Sequence, residues 1–329
     1  MRDLQEPAAP LVEVEKLIKH FPIRGGLLGR QVNAVKAVDG VSFSVRQGET
    51  LSLVGESGCG KSTVGRCVAR LLDPTSGELR LDGARIDRLP EARLKPFRKR
   101  LNMVFQDPFS SLNPRMNVEA LVSEPLRSHG ILSGRANRRA RVSELLELVG
   151  LSPDIMDRMP HQFSGGQRQR ICIARALASE PDFIVCDEAV SALDVSVQAQ
   201  IINLLMRLQA ELGVAILFIS HDLAVVEHLS DRVAVMYLGR IMEIAGRDQL
   251  FSAPAHPYTK ALLSAVPLPD PAARRERVIL KGEVPSPINP PSGCPFRTRC
   301  PIAQDICARD RPEPVEFRPG QRVACHFPG

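Results

Sequence analysis

The 329-residue chain contains no tryptophan and only two tyrosines, and aromatic residues make up 4% of it. Proteins that grip single-stranded nucleic acid stack its bases on rows of aromatic side chains, so that class is disfavoured from the outset. Long hydrophobic runs are also missing. Nothing approaches the roughly 18–20 consecutive apolar residues of a membrane-spanning helix, and the most apolar run, residues 214–219, is the size of a strand. The N-terminal Met1-Arg-Asp-Leu-Gln-Glu6 lacks the basic start and apolar core of a secretion signal. These absences read as a soluble cytoplasmic protein whose work at any membrane passes through partners.

Charge is nearly balanced, with 43 basic and 37 acidic residues. Two basic stretches stand out: Arg93, Lys95, Arg98, Lys99 and Arg100, then Arg135, Arg138, Arg139 and Arg141. Solvated helix faces, or a docking surface beside anionic lipid, explain them more readily than a nucleic-acid groove. Proline is unevenly spread, with fifteen of the 27 lying between Pro254 and Pro328. A stretch so dense in residues without an amide proton cannot continue a regular layered fold, so residues 254–329 read as a separate, irregular C-terminal module.

Before that boundary the pattern is mixed. Strands are expected at 11–18 and 41–45, with a loop between them at 24–31, and again at 50–54, 101–105, 183–186, 214–220 and 232–236. A helix is expected over 63–72, a hairpin piece over 77–83, an inserted helical region at about 108–165, and helices over 197–212 and 223–229. Strands alternating with helices indicate an α/β fold on a largely parallel sheet.

The segment Gly55-Glu-Ser-Gly-Cys-Gly-Lys-Ser-Thr63 fits G-x-x-x-x-G-K-[S/T], and it sits after an apolar strand and before a helix, as its mechanism demands. Gly55, Gly58 and Gly60 permit tight backbone conformations, so the amides of Ser57, Cys59 and their neighbours can point at phosphate oxygens. The helix that follows adds its positive dipole end. Lys61 supplies a point charge for the β- and γ-phosphates, Ser62 offers a hydroxyl to Mg²⁺, and Thr63 closes the cradle. This much predicts nucleotide binding and no particular enzyme.

A second candidate anion site follows about a hundred residues later at Phe163-Ser-Gly-Gly-Gln167, where Ser164, Gly165, Gly166 and Gln167 open a helix. One chain has no evident need for two phosphate cradles, unless each signature closes over nucleotide held by another subunit. Phe183-Ile-Val-Cys-Asp-Glu188 then delivers two carboxylates to a strand end. Neighbouring strand residues face opposite ways, so Asp187 and Glu188 can serve different partners.

With these residues the sequence resembles the ATPase subunits of ABC transporters. The resemblance implies a P-loop NTPase fold with a RecA-like core, a β-subdomain and an inserted helical subdomain over residues 1–253, followed by the C-terminal module. It implies ATP and Mg²⁺ as cofactors. Asp187 would hold Mg²⁺ and Glu188 would polarise the attacking water. Gln106 would be the Q-loop residue reaching Mg²⁺ and the helical region. Asp194, in Ser191-Ala-Leu-Asp194, would lie in the D-loop, and His221 would be the switch histidine. Phe21 is the candidate for stacking on adenine. Two positions depart from the family pattern: Phe163 replaces the usual Leu, and Ala189 replaces the usual Pro.

Three further passages resemble the subgroup that imports dipeptides, oligopeptides and, more distantly, nickel: Gln106-Asp-Pro-Phe-Ser-Ser-Leu-Asn-Pro114, His256-Pro-Tyr-Thr-Lys-Ala-Leu-Leu263, and Gly293-Cys-Pro-Phe296 with Arg299-Cys-Pro301. That resemblance implies a second, homologous ATPase subunit, two membrane permeases, an external solute-binding protein and a peripheral position on the cytoplasmic face of the cell membrane. The rival is a soluble ATPase of the same class acting on nucleic acid or ribosomes. Such proteins usually carry two cassettes or a long coiled-coil insertion, and here there is one signature and a short insertion.

Four of the eight cysteines, Cys294, Cys300, Cys307 and Cys325, crowd the tail with gaps of five, six and seventeen residues. Clustered cysteines in a cytosolic protein suggest a metal before disulfides. All-sulfur ligation suits Zn²⁺ or an iron–sulfur cluster, and the subgroup resemblance favours a 4Fe–4S cluster.

Overall fold

The computed structural model describes residues 9–25, 30–266 and 278–329. Contacts divide the chain into two compact units. One comprises Val45–Glu49 and Arg88–Ile219 with the short stretch ending at Leu11; the other comprises Val12–Ser44, Thr50–Asp87 and Ser220–Gly329. This division differs from a cut near residue 254, because the proline-rich tail shares its unit with the N-terminal strands.

In the first unit the strands Leu101–Val104, Phe183–Asp187 and Ala215–Ser220 pair in parallel, with Leu101 opposite Phe183 and Phe183 opposite Ala215. Every residue of the latter two strands is buried. Such continuous apolar runs are what a parallel strand covered on both faces requires. The helix Gly165–Leu177 runs between the first two strands in sequence, and Val195–Leu212 joins the second to the third. The inserted region holds the helices Pro108–Ser111, Val118–Ser128 and Arg135–Leu148 and two short 3-10 turns, Pro153–Ile155 and Pro160–Gln162. Asn117 starts the second of these helices by accepting the Ala120 amide at 3.0 Å. Val118, Leu121, Val122 and Leu126 then fall on one buried stripe.

Much of the basic character is spent inside this unit. Arg139 pairs with Glu119 and Asp157, Arg141 with Glu144 and Glu180, Arg98 with Glu91, and Arg100 with Asp182.

The second unit holds a four-stranded sheet in the order Arg30–Val45, Val12–Gly25, Ser76–Leu81, Ala84–Arg85. Both long strands extend into the expected 24–31 loop; its residues 26–29 lie outside the described residues. Asp82 and Gly83, at φ of 52° and 73°, make the tight turn between the last two strands, the left-handed pair that a two-residue hairpin needs. The helix Lys61–Val68 ends four residues short of expectation. Arg70 takes a left-handed φ of 54°, and its buried guanidinium turns to the Ile86 carbonyl and to Asp73.

The same unit carries a run of strands that the sequence reading gave only in part. Thr50–Val54 pairs in parallel with Arg232–Tyr237, which pairs antiparallel with Arg240–Gly246. The tail supplies a hairpin, Val315–Arg318 with Gln321–Val323, whose second strand adds to Arg240–Gly246. The irregular module therefore contributes two strands. Buried Glu243 fastens it further, accepting the amides of Ala255 and His256 at 2.9 Å each and the Gln321 side-chain amide at 2.7 Å.

His256 caps the helix Pro257–Ser264, its Nδ1 accepting the Tyr258 amide at 3.0 Å. Burial pushes its pKa from 6.5 down to about 3, because the cation cannot be solvated there. The unfolded imidazole takes up a proton near 6.5, so stability falls as pH drops from 6.5 toward 3, by about 1.4 kcal/mol per pH unit at full effect. His256→Asn keeps a cap acceptor and removes the titration. Its melting temperature is expected to depend less steeply on pH between 6 and 4 than that of the native chain. Identical slopes would mean that His256 does not govern this loss.

Candidate active site

The loop 55–60 runs from a buried strand into a helix that starts at Lys61. Glycine is obligatory at its two ends for steric reasons. A Cβ on Gly55 would lie 2.1 Å from the Met236 carbonyl oxygen, and one on Gly60 would lie 2.0 Å from that of Ala37. Gly60 also holds φ of 105° as the residue before the helix, a conformation closed to side-chain-bearing residues. Lys61 is 4% exposed, and its ammonium donates to the carbonyls of Gly55 at 2.8 Å and Glu56 at 3.1 Å. The charge is thus laid along the loop, on the helix whose N-terminal end favours anions. The Cys59 thiol is buried 3.9 Å from the Lys61 ammonium, and burial raises its pKa. Ser57 is exposed, while Ser62 and Thr63 stand half-buried in the first turn of the helix.

This second unit also holds His221 and Phe21. His221 is exposed just before the short helix Leu223–Leu229, which Asp222 caps by accepting the Ala224 amide at 2.9 Å and that of Val225 at 3.3 Å. Phe21 lies on the strand Val12–Gly25, 37% exposed, with the Lys19 ammonium 5.1 Å from its ring centre.

The first unit brings Gln106, Asp187 and Glu188 together. Asp187 ends its strand 1% exposed. Glu188 then breaks the strand with a left-handed φ of 48°, which costs a non-glycine residue on the order of 1 kcal/mol. The turn is held by the Glu188 amide donating to the Ile219 carbonyl at 3.0 Å and by Ser191 donating to the Glu188 carbonyl. The Glu188 carboxylate accepts the Gln106 amide at 2.8 Å. The sequence showed the adjacency of the two acids but not the left-handed backbone at Glu188. Ala189, where the family usually has proline, is buried at 2% exposure.

Ser164 and Gln167 form a reciprocal cap on the helix Gly165–Leu177. The Ser164 hydroxyl accepts the Gln167 amide at 3.4 Å, and the Gln167 side-chain carbonyl accepts the Ser164 amide at 3.1 Å. Both cap residues are exposed, whereas Phe163 before them is buried. Gly166 cannot carry a Cβ, which would meet a Val197 methyl at 2.4 Å. Asp194 caps the helix Val195–Leu212 through the Val197 amide at 3.0 Å and the Ser196 hydroxyl at 2.7 Å. These hydrogen bonds hold its pKa below the usual carboxylate range. Sequence reading gave Asp194 an interface role and missed this local one, although Asp-x-x-Val before an apolar run is a helix-start pattern.

The tail cysteines approach one another: the Cys294 amide donates to the Cys307 carbonyl at 2.8 Å, and Cys307, Cys325 and Cys300 each act electrostatically on the Cys294 thiol. Burial and these neighbours push that thiol up to about 11. Among the described residues, however, no three His, Cys, Asp or Glu side chains are arranged to hold a metal ion. The 4Fe–4S expectation therefore has no support from the arrangement of the described side chains.

A phosphate loop with its lysine in one unit, and in the other a strained strand-end glutamate and a separately capped signature helix, are the parts of an ABC-type ATPase cassette. Comparison with known proteins agrees. Residues 38–191 match the ABC transporter family, and residues 242–307 match the oligopeptide/dipeptide transporter C-terminal region. The chain is 55% identical over 320 residues to the oligopeptide transport ATP-binding protein AppF of Bacillus subtilis, covering 96% of this chain and 97% of that one. It is 56% identical over 316 residues to the probable peptide ABC transporter ATP-binding protein y4tS of Sinorhizobium fredii, covering 96% and 89%. Among solved structures, the dimeric post-hydrolysis state of the ATP-binding cassette MJ0796, bound to ADP and Pi, superposes with a TM-score of 0.64 at 30% identity, covering 72% of this chain and 98% of that one. CbiO1 of Clostridium perfringens, part of the ABC transporter complex cbiONQ, gives 0.63 at 28% identity, covering 74% and 91%. The chain belongs to the family of ABC transporter ATP-binding proteins, and it is an ATPase.

Proposed function

We propose that this subunit hydrolyses ATP to drive import of di- or oligopeptides, or a related small solute, through a membrane complex. The observation that carries the substrate class is the match of residues 242–307 to the oligopeptide/dipeptide transporter C-terminal region, a stretch outside the ATPase match at 38–191. The names of the relatives, which describe peptide and oligopeptide transport, support it.

In this reading residues 55–63 hold the triphosphate, Lys61 sits against the β- and γ-phosphates, and Ser62, Gln106 and Asp187 would hold Mg²⁺, which neutralises charge as the phosphoryl group leaves. Glu188 takes the proton of the attacking water, Gln106 orients that carboxylate, and His221 contacts the γ-phosphate. Phe21 offers a ring face to adenine. Ser164, Gly165, Gly166, Gln167 and Asp194 serve the nucleotide held by a second ATPase subunit. That pair works beneath two permeases at the cytoplasmic face of the membrane, supplied by an external binding protein. Among the described residues no helix is long and apolar enough to cross a membrane.

The test is reconstitution with a candidate pair of permeases and a solute-binding protein in proteoliposomes. ATPase activity is expected to rise when the binding protein is loaded with short peptides. Stimulation by RNA or DNA in the absence of permeases would replace this reading with that of a soluble nucleic-acid ATPase. Stimulation by a nickel complex alone would replace the substrate class.

A further inference from the structure

A carboxylate inside an anion-binding loop has the wrong sign. Glu56 is the second residue of the phosphate loop, and the structure pairs it with Arg299, 243 positions away in the cysteine-bearing tail. The guanidinium grips both carboxylate oxygens, at 2.7 and 3.0 Å. Side-chain exposure is 8% for the arginine and 26% for the glutamate. This is not the solvent-exposed kind of ion pair that contributes little. It is a two-pronged fork in which removal of one partner leaves the other charged in a poorly solvated place.

The backbone of the same residue is tied on both sides. The Glu56 amide donates to the Tyr258 hydroxyl at 3.0 Å, and the Glu56 carbonyl accepts the Lys61 ammonium at 3.1 Å. Tyr258 packs with Tyr237 and Phe296 at ring-centre distances of 4.8 and 5.2 Å, and the Arg299 guanidinium lies 5.9 Å from the Tyr237 ring centre. Phe296 and Arg299 both belong to the stretch between Cys294 and Cys300. An aromatic block built partly from the tail therefore holds the arginine in place, and the arginine holds the loop.

We propose that Arg299 is a positioning residue for the phosphate loop, neutralising and tethering Glu56 so that the loop presents amides and Lys61, rather than a carboxylate, to the triphosphate. The proposal rests on reading residues 55–63 as the ATP cradle. It gives the tail a task in nucleotide binding, distinct from recognition of the transported solute.

The experiment measures the Kd of the full-length subunit for Mg·ATP, by calorimetry, in four chains: native, Arg299→Gln, Glu56→Gln and the double variant, with melting temperatures alongside. Arg299→Gln is expected to raise Kd about tenfold, equivalent to about 1.4 kcal/mol, and the increase should shrink at high salt. Glu56→Gln is the reference for a loop without the carboxylate, and the double variant should lie within about threefold of that reference and tighter than Arg299→Gln, because there is then no carboxylate for Arg299 to neutralise. Arg299→Lys, which keeps the charge and loses the fork, should fall between native and Arg299→Gln. A folded Arg299→Gln chain with native affinity would overturn the proposal. So would a double variant as weak as Arg299→Gln, which would reduce Arg299 to packing of the tail. Should Arg299→Gln alone fail to fold, the lysine and double variants decide on the same criteria. Absence of saturable ATP binding by the native chain would overturn the cradle reading itself.

Discussion

Replacing Glu188 by glutamine is expected to cut ATP turnover by about 10²-fold or more, while Mg·ATP still binds within a few-fold of its native affinity. The substitution exchanges one carboxylate oxygen for an amide nitrogen. It keeps the side-chain length and the turn made by the Ser191 and Ile219 contacts, which are to the Glu188 backbone. What it removes is the only proton acceptor the residue offers. The Gln106 amide donates to the Glu188 carboxylate at 2.8 Å in the native chain, and it can still donate to the remaining side-chain oxygen in the variant. Orientation therefore survives while basicity is lost, a separation that truncation to alanine would not give. A tenfold loss corresponds to about 1.4 kcal/mol of transition-state stabilisation, so the expected deficit is about 2.7 kcal/mol or more. Single-turnover hydrolysis is the direct measurement, and ATP-dependent accumulation of a dimer on size exclusion is the companion one, since a pair that cannot hydrolyse its ATP should stay closed. Near-native turnover would move the base to another residue.

The chemistry of this protein is more legible in its sequence than its architecture. Residues 55–63, Asp187 with Glu188, and 163–167 announce themselves because each task fixes residue type and spacing within a few positions. The parallel strands at 183–187 and 215–220 are equally plain, since burial on both faces leaves an unbroken apolar run. Arg30–Val45 was harder to see: its alternation is broken by polar residues, and as an edge strand it is held only by the preceding strand Val12–Gly25. The tail hairpin Val315–Arg318 and Gln321–Val323 is short and half-exposed, and only its partner Arg240–Gly246 makes it a strand pair. Glu243, fully buried on that partner, looks in sequence like any surface acid in an amphipathic strand. Its three donors come from residues 12, 13 and 78 positions away. The Arg299–Glu56 fork was hidden for the same reason. Local spacing reveals what a loop can bind, and long-range contacts decide what holds the loop.

The second large effect separates the two phosphate-facing elements, and a pair of tagged copies of this chain can reveal it. Ser164→Arg removes the hydroxyl that caps the helix Gly165–Leu177 and places a long cation at an exposed helix N-terminus, where positive charge is unfavourable. Lys61→Ala removes the buried ammonium from the phosphate loop. If each signature serves the partner's ATP, putting Ser164→Arg in one subunit and Lys61→Ala in the other strikes the same composite site twice. The remaining site is intact, and turnover should equal that of a dimer carrying Lys61→Ala in one subunit alone. Putting both substitutions in one subunit instead strikes both sites, and turnover should fall by a further 10²-fold or so. A signature acting on its own subunit's nucleotide predicts the reverse ranking: the split pair would be dead and the doubly substituted subunit would leave a working partner. The capping cost of Ser164→Arg is the same in both arrangements, about 1 kcal/mol, so loss of helix stability cannot produce the difference. Steady-state hydrolysis by affinity-purified mixed dimers decides between them, and the reversed ranking would end the proposal that Ser164, Gly165, Gly166 and Gln167 act across the dimer.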